Sequence, residues 1–403
     1  MNRLEKLSAY IFPSDPAKGY IGSIDLNIWL AQIAGIPLLG LKHEPLGLKI
    51  ILLCYGTLMT IFVTFLYTGF EIYDLILCWR SLDSLTQNTC LSLTHLAGVT
   101  KILNSFYRFS DIRNVIEKFK LATMKYVVTT EQRKAFYRGE FENKLPFAIY
   151  ATLVSFTGFL GMIMLFYDPI NAIGQFPYRV KLPASLKPEL QLIYMGVSVY
   201  GLQAIVDRIY SINTYHQIRF QLRFLNLSFS ELSMNDRKQL LGSQKKPFVN
   251  ERINLIIEHH WCLLDLRNQI EDIFRMPVLI QFFTSVIIFA LTGFQATVRN
   301  DTTNGTVLIY FYCCCIFCEL FIYCWCGNDV FEQSKTLSTT GYSCIWYKYD
   351  QRFKKSLQIF LINAQKPFIF SAGGFMTLSL PSFAGILTKS YSYIAVLRQL
   401  YSR

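Results

Sequence analysis

Long stretches without a charged side chain restrict the folds that this sequence can adopt. A helix needs about 20 apolar residues to cross a hydrocarbon core of roughly 30 Å. Seven stretches of 17 to 23 residues approach or exceed this length, and only Glu319 interrupts one of them: 50–70, 84–100, 145–167, 190–206, 276–298, 307–328 and 368–388. Only 16% of the residues are charged, whereas soluble domains usually carry about a quarter. The sequence therefore predicts an all-α membrane protein with seven transmembrane helices.

Basic residues are unevenly distributed between the segments that connect these helices. If the N-terminus lies inside, the cytoplasmic segments hold 31 of the 39 Lys and Arg residues and the outside segments hold 8. Basic residues accumulate on the cytoplasmic side of membrane proteins, so we expect a cytoplasmic N-terminus and an extracellular C-terminus. The net charge of +12 is then a sign of topology, and nucleic acid is not expected as a partner.

This orientation divides the chain into three parts. Residues 1–49 form a cytoplasmic N-terminus with an interfacial or re-entrant segment at 26–41, residues 50–328 hold the first six spans, and 329–403 hold a cytoplasmic segment and the last span. The charged segment 101–144 is assigned to the cytoplasm.

The cytoplasmic segments carry apolar residues at helical spacing, so membrane helices should continue into a cytoplasmic bundle. Glycosylation sequons at Asn300 and Asn304 fall in a short outside loop.

Few residues in the sequence suggest enzymatic or metal chemistry. Six cysteines crowd the sixth span, but consecutive helix positions point in different directions, and a zinc site needs four convergent ligands. Buried thiols acting as small apolar side chains are therefore favoured. His259 and His260 have no partner at ligand spacing, which favours a solvated or packed role. Because no familiar catalytic or nucleotide-binding motif occurs, we expect neither an enzyme nor a cofactor.

Glu319 stands apart because it places a carboxylate inside a predicted span. Such a group is costly unless it is paired, neutralised or hydrated, so it marks either helix packing or a functional site. The sequence leaves both roles open.

From Glu319 onward, about 75 residues contain a spaced set of aromatic, small and polar positions: Glu319, Phe321, Tyr323, Cys324, Gly327, Ser334, Tyr342, Trp346, Pro367, Ser371, Ala372, Gly373, Gly374, Phe375, Ser379, Phe383, Leu387, Ser390, Tyr391, Ser392 and Tyr393. In these positions and their order, the sequence resembles the insect odorant receptor family. The resemblance implies an odour-tuning subunit of a ligand-gated, non-selective cation channel. It also implies a tetramer with a shared co-receptor subunit in the plasma membrane of a sensory neuron dendrite.

A ligand chamber between the outer halves of helices two, three, four and six follows from this resemblance. The residues available there are Ser155, Phe156, Phe159, Met162, Phe166, Ile193, Tyr194, Val197, Tyr310, Phe311 and Cys314. An apolar, aromatic-rich cavity suits a small volatile organic ligand. The alternative is that these aromatic residues only pack against neighbouring helices.

The resemblance also implies that the outer half of the last helix lines the pore. It places a narrow apolar ring at Val396 and Leu400, which moves the last span beyond residue 388. At about 100° per residue, Lys389, Ser392, Val396 and Leu400 share one stripe within roughly 80°. A hydrated pore would accommodate the Lys389 ammonium; the alternative is an ion pair between Lys389 and Glu319.

Other classes of membrane protein fit the sequence less well. A transporter should show repeated halves with interrupted helices, and a membrane enzyme should cluster polar residues at one face. The inverted topology and missing motifs disfavour a G-protein-coupled receptor. A gustatory receptor channel of the same superfamily is the main alternative.

Overall fold

The structure is a computed structural model. It describes residues 14–33, 46–80, 82–167, 215, 217–232, 246–298 and 304–401. The predicted span 190–206 and the end of the segment 26–41 lie outside the described residues.

The described residues are mostly helical. After a short 3-10 turn at Pro16–Lys18, the helices are α1 (Gly22–Ile33), α2 (Leu46–Met59), α3 (Leu66–Leu77), α4 (Leu82–Tyr107), α5 (Phe109–Tyr126), α6 (Thr130–Tyr167), α7 (217–232), α8 (Lys246–Val298), α9 (Asn304–Tyr342), α10 (Gln351–Ala364) and α11 (Leu380–Tyr401). A π-helical segment, Thr60–Phe65, joins α2 to α3. A 3-10 turn at Trp346–Lys348 precedes α10.

Four described helical segments are long and apolar enough to cross a membrane: Ile50–Leu77, Thr130–Gly161, Val249–Thr297 and Val307–Lys348. The uncharged runs 50–70, 84–100, 145–167, 276–298 and 307–328 all lie in helices, as predicted. The number of seven spans and the orientation of the termini stay predictions.

Three described helices are far longer than a membrane crossing. Helix α8 has 53 residues, α9 has 39 and α6 has 38, whereas a span needs about 20. Each joins an uncharged run to charged sequence, as the helical spacing predicts for α6 and α8. One hydrophobic core extends along both levels, from Phe282 and Leu320 in the uncharged runs to Phe229 and Phe360 in the charged segments.

The boundary predicted for the last uncharged run, 368–388, was wrong. Its first residues form a small antiparallel hairpin, β1 (Ser371–Ala372) and β2 (Met376–Thr377), and α11 begins only at Leu380. Two glycines with positive φ, Gly373 (63°) and Gly374 (80°), make the turn. Absence of charge cannot distinguish an apolar hairpin from a helix. Helix α11 continues to Tyr401, well beyond residue 388, in agreement with the shifted last span.

A proline inside α8 helps to position α4. Pro277 has no backbone N–H, so it cannot donate to the carbonyl of Ile273. Asn104 in α4 supplies the missing donor, with its Nδ2 3.1 Å from that oxygen. The contact satisfies the freed carbonyl and links the two helices.

Candidate functional site

A buried ion pair joins three helices at the level of the uncharged runs. Lys101 Nζ in α4 lies 2.9 Å from Glu319 Oε1 in α9, and both side chains are buried. Gln281 in α8 donates from Nε2 to the other Glu319 oxygen at 3.1 Å. Buried charges are tolerated only when paired and hydrogen-bonded, so this contact holds α4, α8 and α9 together.

The ion pair corrects one expectation from the sequence. The alternative pairing of Lys389 with Glu319 is wrong, because Glu319 binds Lys101. Lys101 itself lies where α4 continues past the uncharged run to Tyr107, as expected for a membrane helix that extends into charged sequence. Glu319 therefore serves interhelical packing, one of the two roles that the sequence left open.

Hydroxyl and thiol groups form a second cluster between α4, α6 and α9. Tyr312 donates to the carbonyl of Cys90 at 3.1 Å, and the hydroxyls of Tyr312 and Thr94 are 2.5 Å apart. Thr157 Oγ1 in α6 lies 3.3 Å from Cys315 Sγ in α9. These three helices are the second, third and sixth predicted spans, to which the resemblance assigns the ligand chamber.

A third polar cluster links α3 to α4. His95 Nδ1 lies 2.8 and 2.9 Å from the two carboxylate oxygens of Glu71. Asn88 Nδ2 donates to Asp74 Oδ2 at 2.9 Å. Each buried acid of α3 thus has a polar partner on α4.

The contacts of the second and third polar clusters were not predicted from the sequence. A weak signal was present, because Glu71 directly follows an uncharged run and His95 lies inside the next one. Two polar groups at corresponding depths of consecutive antiparallel spans are candidates for an interhelical pair.

The predicted ligand residues fall into two groups. Ser155, Phe159, Tyr310 and Cys314 are exposed in the chain, with Phe159 at 62%. The side chains of Met162 and Phe166, and all of Ile193, Tyr194 and Val197, lie outside the described residues. Their role in ligand binding stays a prediction.

Aromatic contact brings the two described walls of the predicted chamber together. The rings of Phe156 in α6 and Phe311 in α9 meet edge to face with their centroids 5.2 Å apart. The structure therefore places the predicted faces of α6 and α9 side by side.

Helix α11 uses one face for packing and leaves the predicted pore stripe exposed. Ser390 donates to the carbonyl of Val286 in α8 at 3.3 Å, and Gly293 of α8 has no room for a Cβ beside Ile394. At about 100° per residue, Ser390 and Ile394 lie roughly 100° and 140° around the helix from Lys389. Lys389, Ser392 and Val396 are all exposed; the Leu400 side chain lies outside the described residues.

An open groove of about 490 Å³ runs between α8 and α11. Its walls are apolar, with Phe282 and Phe283 on one side and Tyr393 and Val396 on the other; Lys389 is its one charged lining residue. The groove thus borders the predicted pore stripe.

Two buried histidines lie in the charged part of α8, outside the uncharged run. His259 Nε2 donates to Gln221 Oε1 at 2.9 Å, and its ring stacks on Tyr126 at 4.1 Å. Burial, with a smaller contribution from the neighbouring His260, lowers the pKa of His259 to about 3. Burial also lowers the pKa of His260 to about 4. The packed role, one of the two expected, is correct.

Arg219 is buried in the same charged region. Its Nη1 lies 2.8 Å from Asp329 Oδ2 and its Nη2 lies 3.7 Å from Glu142 Oε2. Arg223 contacts the same Glu142 at 2.6 Å. This basic pair and acidic pair link α6, α7 and α9.

The described residues contain no group of three His, Cys, Asp or Glu side chains that could hold a metal ion. All eleven cysteines are described, and each is a free thiol. Cys324 and Cys326 are buried in the hydrophobic core, as expected for thiols that act as small apolar side chains. Cys315 is also buried, beside the hydroxyl of Thr157.

Comparison with protein families matches residues 81–391 to a family described as "7tm Odorant receptor". The odorant receptor coreceptor of Anopheles gambiae is 29% identical over 173 residues, or 43% of this chain and 36% of that protein. Odorant receptor 85b of Drosophila melanogaster is 28% identical over 179 residues, or 44% of this chain and 45% of that protein. The chain thus spans less than half of either relative in these alignments.

One solved structure shares the fold over most of the chain. It is the insect olfactory receptor OR5 of Machilis hrabei in complex with eugenol, with a TM-score of 0.75 and 16% sequence identity. The superposition covers 94% of this chain and 97% of that one.

Proposed function

Because the chain belongs to the 7tm odorant receptor family of insects, we propose that it is an odour-tuning subunit of a ligand-gated cation channel. It binds a small volatile molecule and opens the channel together with the shared co-receptor subunit. The family match over residues 81–391 carries this proposal. The family consists of receptors, so the chain is not an enzyme.

The proposed assembly lies in the plasma membrane of a sensory neuron dendrite, with seven spans, a cytoplasmic N-terminus and an extracellular C-terminus. The excess of Lys and Arg in alternate segments supports this orientation. The co-receptor among the relatives supports a partner of similar fold. Subunits of one fold can surround a common axis, and a tetramer is the proposed form.

The proposed ligand chamber lies between α4, α6, α9 and the predicted span 190–206. Phe156 and Phe311 meet at the junction of two of its walls, and Thr94 and Tyr312 supply hydroxyl groups nearby. An apolar chamber with few polar groups selects a small organic molecule by burial and shape. A eugenol complex has been solved for the structural relative, which supports a ligand of this size.

Electrical recording tests the function directly. Cells expressing this chain with the co-receptor are exposed to a panel of volatiles, and cells expressing the co-receptor alone serve as the control. We expect currents that appear only with both subunits and persist in excised patches. A response that disappears on excision and returns with added nucleotides would contradict a channel.

Epitope tags test the proposed orientation. A tag at the C-terminus should label intact cells, and a tag at the N-terminus should label only permeabilised cells. The reverse labelling would overturn the topology.

The Phe159→Ala variant tests the chamber. The substitution should change the ligand spectrum or potency more than surface expression, because Phe159 lies on the proposed ligand face. Ile149→Ala is a matched control, since Ile149 is 57% exposed on the same helix but ten residues before Phe159, which is about 15 Å along the helix axis. Equal dose-response curves for both variants and the parent would remove Phe159 from the chamber.

Cysteine substitution tests the proposed pore stripe. Val396→Cys and Leu400→Cys, in a background in which the exposed Cys54 is serine, should react with charged thiol reagents mainly when ligand is present. The same background without a new cysteine measures any reaction at the exposed Cys314. Arg398→Cys, on the opposite side of α11, is the control. Reactivity that does not depend on ligand would show that the stripe faces away from a gated pore.

A further inference from the structure

We propose that Lys389 makes this subunit discriminate against divalent cations, so that the channel passes monovalent ions in preference to Ca²⁺. The inference rests on the proposed function, because it assigns a selectivity role to a residue of the proposed pore stripe. It goes beyond that function by naming the ions that the subunit disfavours.

The position of Lys389 on α11 is the first observation. Its side chain is exposed, while Ser390 and Ile394 on the neighbouring face pack against α8. It shares the exposed stripe with Ser392 and Val396. Lys389 therefore stays available to the space outside the subunit.

The charge of Lys389 is not neutralised within the described part of the chain. No described carboxylate lies within salt-bridge distance of it, and Glu319 is paired with Lys101. Helix α11 contains Lys389 and Arg398 but no Asp or Glu. The other residues that line the adjoining groove are uncharged.

The proposed function makes α11 the last span, and this placement makes the charge of Lys389 informative. Lys389 lies nine residues after Leu380, which is about 13 Å along the helix axis. In a helix that crosses the membrane, an ammonium so far from the start is costly against lipid but is accommodated in a water-filled path. The exposure of Lys389, which has no carboxylate partner among the described residues, is therefore the feature that the proposed pore explains.

Ion valence determines how strongly this ammonium acts. The Coulomb energy of repulsion is proportional to the charge of the ion, so a divalent cation meets twice the energy that a monovalent cation meets. At a distance of about 7 Å in water, one ammonium lowers the local concentration of a monovalent cation about threefold and that of a divalent cation about sevenfold. Screening by salt weakens both effects, which leaves a discrimination of about twofold to threefold per copy of this chain.

The Arg398 side chain provides a matched control. It is the other basic residue of α11, is also exposed, and lies nine positions from Lys389, which places it about 180° around the helix. Neutralising either residue removes one positive charge from the same helix, but only Lys389 belongs to the pore stripe.

Reversal potentials measured with the co-receptor, as external Na⁺ is replaced by Ca²⁺, test the inference. Lys389→Gln should raise the permeability ratio of Ca²⁺ to Na⁺ about twofold to threefold, while Lys389→Arg and Arg398→Gln should leave it unchanged. Ser392→Lys adds an ammonium to the stripe and should lower the ratio, so the test does not depend on one variant reaching the surface.

The outcomes separate the two proposals. A conducting channel whose ratio is the same in Lys389→Gln, Ser392→Lys and the parent would overturn the role of Lys389 and leave the channel function intact. An equal change in Arg398→Gln would also overturn it, because the effect would then not depend on the stripe. Absence of odour-evoked current in the parent, when it reaches the cell surface, would contradict the proposed function and the inference together.

Discussion

Lys101 and Arg219 are both buried basic side chains, but their surroundings differ. Lys101, at the level of the uncharged runs, is paired with the carboxylate of Glu319, and both side chains are almost inaccessible. Arg219, in the charged region, contacts Asp329 and Glu142, whose side chains are 19% and 34% exposed. Arg223 lies beside the same two carboxylates.

This difference shows how each region tolerates a lost charge. If Lys101 is removed, Glu319 is left as a buried anion without access to water. If one acid near Arg219 is removed, another acid and nearby water remain. The first site therefore depends on pairing, and the second has redundancy.

The largest expected effect is the loss of the Lys101 charge. Lys101→Met removes the ammonium that faces the buried carboxylate of Glu319, which should lower the free energy of unfolding by about 3–5 kcal/mol. The thermal midpoint of the detergent-solubilised protein and the amount at the cell surface measure this effect.

A double variant isolates the charge as the cause. Lys101→Met with Glu319→Gln removes both charges and should recover much of the lost stability, because no buried ion remains. A double variant as unstable as Lys101→Met would show that packing around Lys101, and not its charge, is what the structure requires.

A smaller loss is expected at Arg219. Asp329→Asn removes the closer acid but leaves Glu142 in place, so the cost should be about 1.5–3 kcal/mol, the value of a hydrogen bond to a charged group. The same thermal measurement applies. If Asp329→Asn cost as much as Lys101→Met, the two regions would not differ in redundancy.

Acid should destabilise the charged region through two buried histidines, an effect that the ion pair of Lys101 and Glu319 contains no histidine to produce. His259 and His260 are buried without an acidic partner among the described residues, and burial lowers their pKa to about 3 and about 4. The unfolded chain binds a proton near the ordinary pKa of about 6.5. Stability from these groups is therefore present above that pH and is lost as the pH falls from 6.5 towards 3, by about 2 kcal/mol for His259 at pH 5.

Thermal midpoints at pH 7.5 and pH 5 measure this loss. His259→Gln keeps a polar side chain that does not titrate, so its midpoint should fall less over the same interval. An identical fall in both proteins would exclude His259 as the source of the acid sensitivity.

The same contrast explains which features the sequence could predict. Helices were predictable because a run such as 276–298 needs only length and absence of charge, and α8 indeed covers it. The burial of Lys101 was not, because it depends on the carboxylate of Glu319, which is distant in the sequence. The hairpin before α11 was missed because apolar residues fit a buried turn as well as a span, and only Gly373 and Gly374 indicated otherwise.

In the candidate sites, too, a local feature was easier to predict than a contact between distant residues. Lys389, Ser392 and Val396 are exposed, which is compatible with the pore stripe that the resemblance implies; the stripe stays a prediction. The contact between Thr94 and Tyr312 joins residues that are 218 positions apart, and no local pattern in a single sequence reveals such a contact.

The smallest effect is expected for an exposed ion pair in the charged region. Lys118 Nζ lies 2.6 Å from Asp265 Oδ2, with the side chains 31% and 57% exposed. The hydrogen bond from Lys118 lowers the pKa of Asp265, but water screens the pair, and such contacts contribute about 0–1 kcal/mol. Lys118→Met should therefore shift the thermal midpoint little at low salt and not at all at high salt, because salt screens exposed charges.

Lys101→Met, in contrast, should be equally unstable at both salt concentrations, because the ion pair that it removes is buried. A loss in Lys118→Met that is large and independent of salt would show that the charged region also depends on single ion pairs, and the contrast between the two regions would then fail.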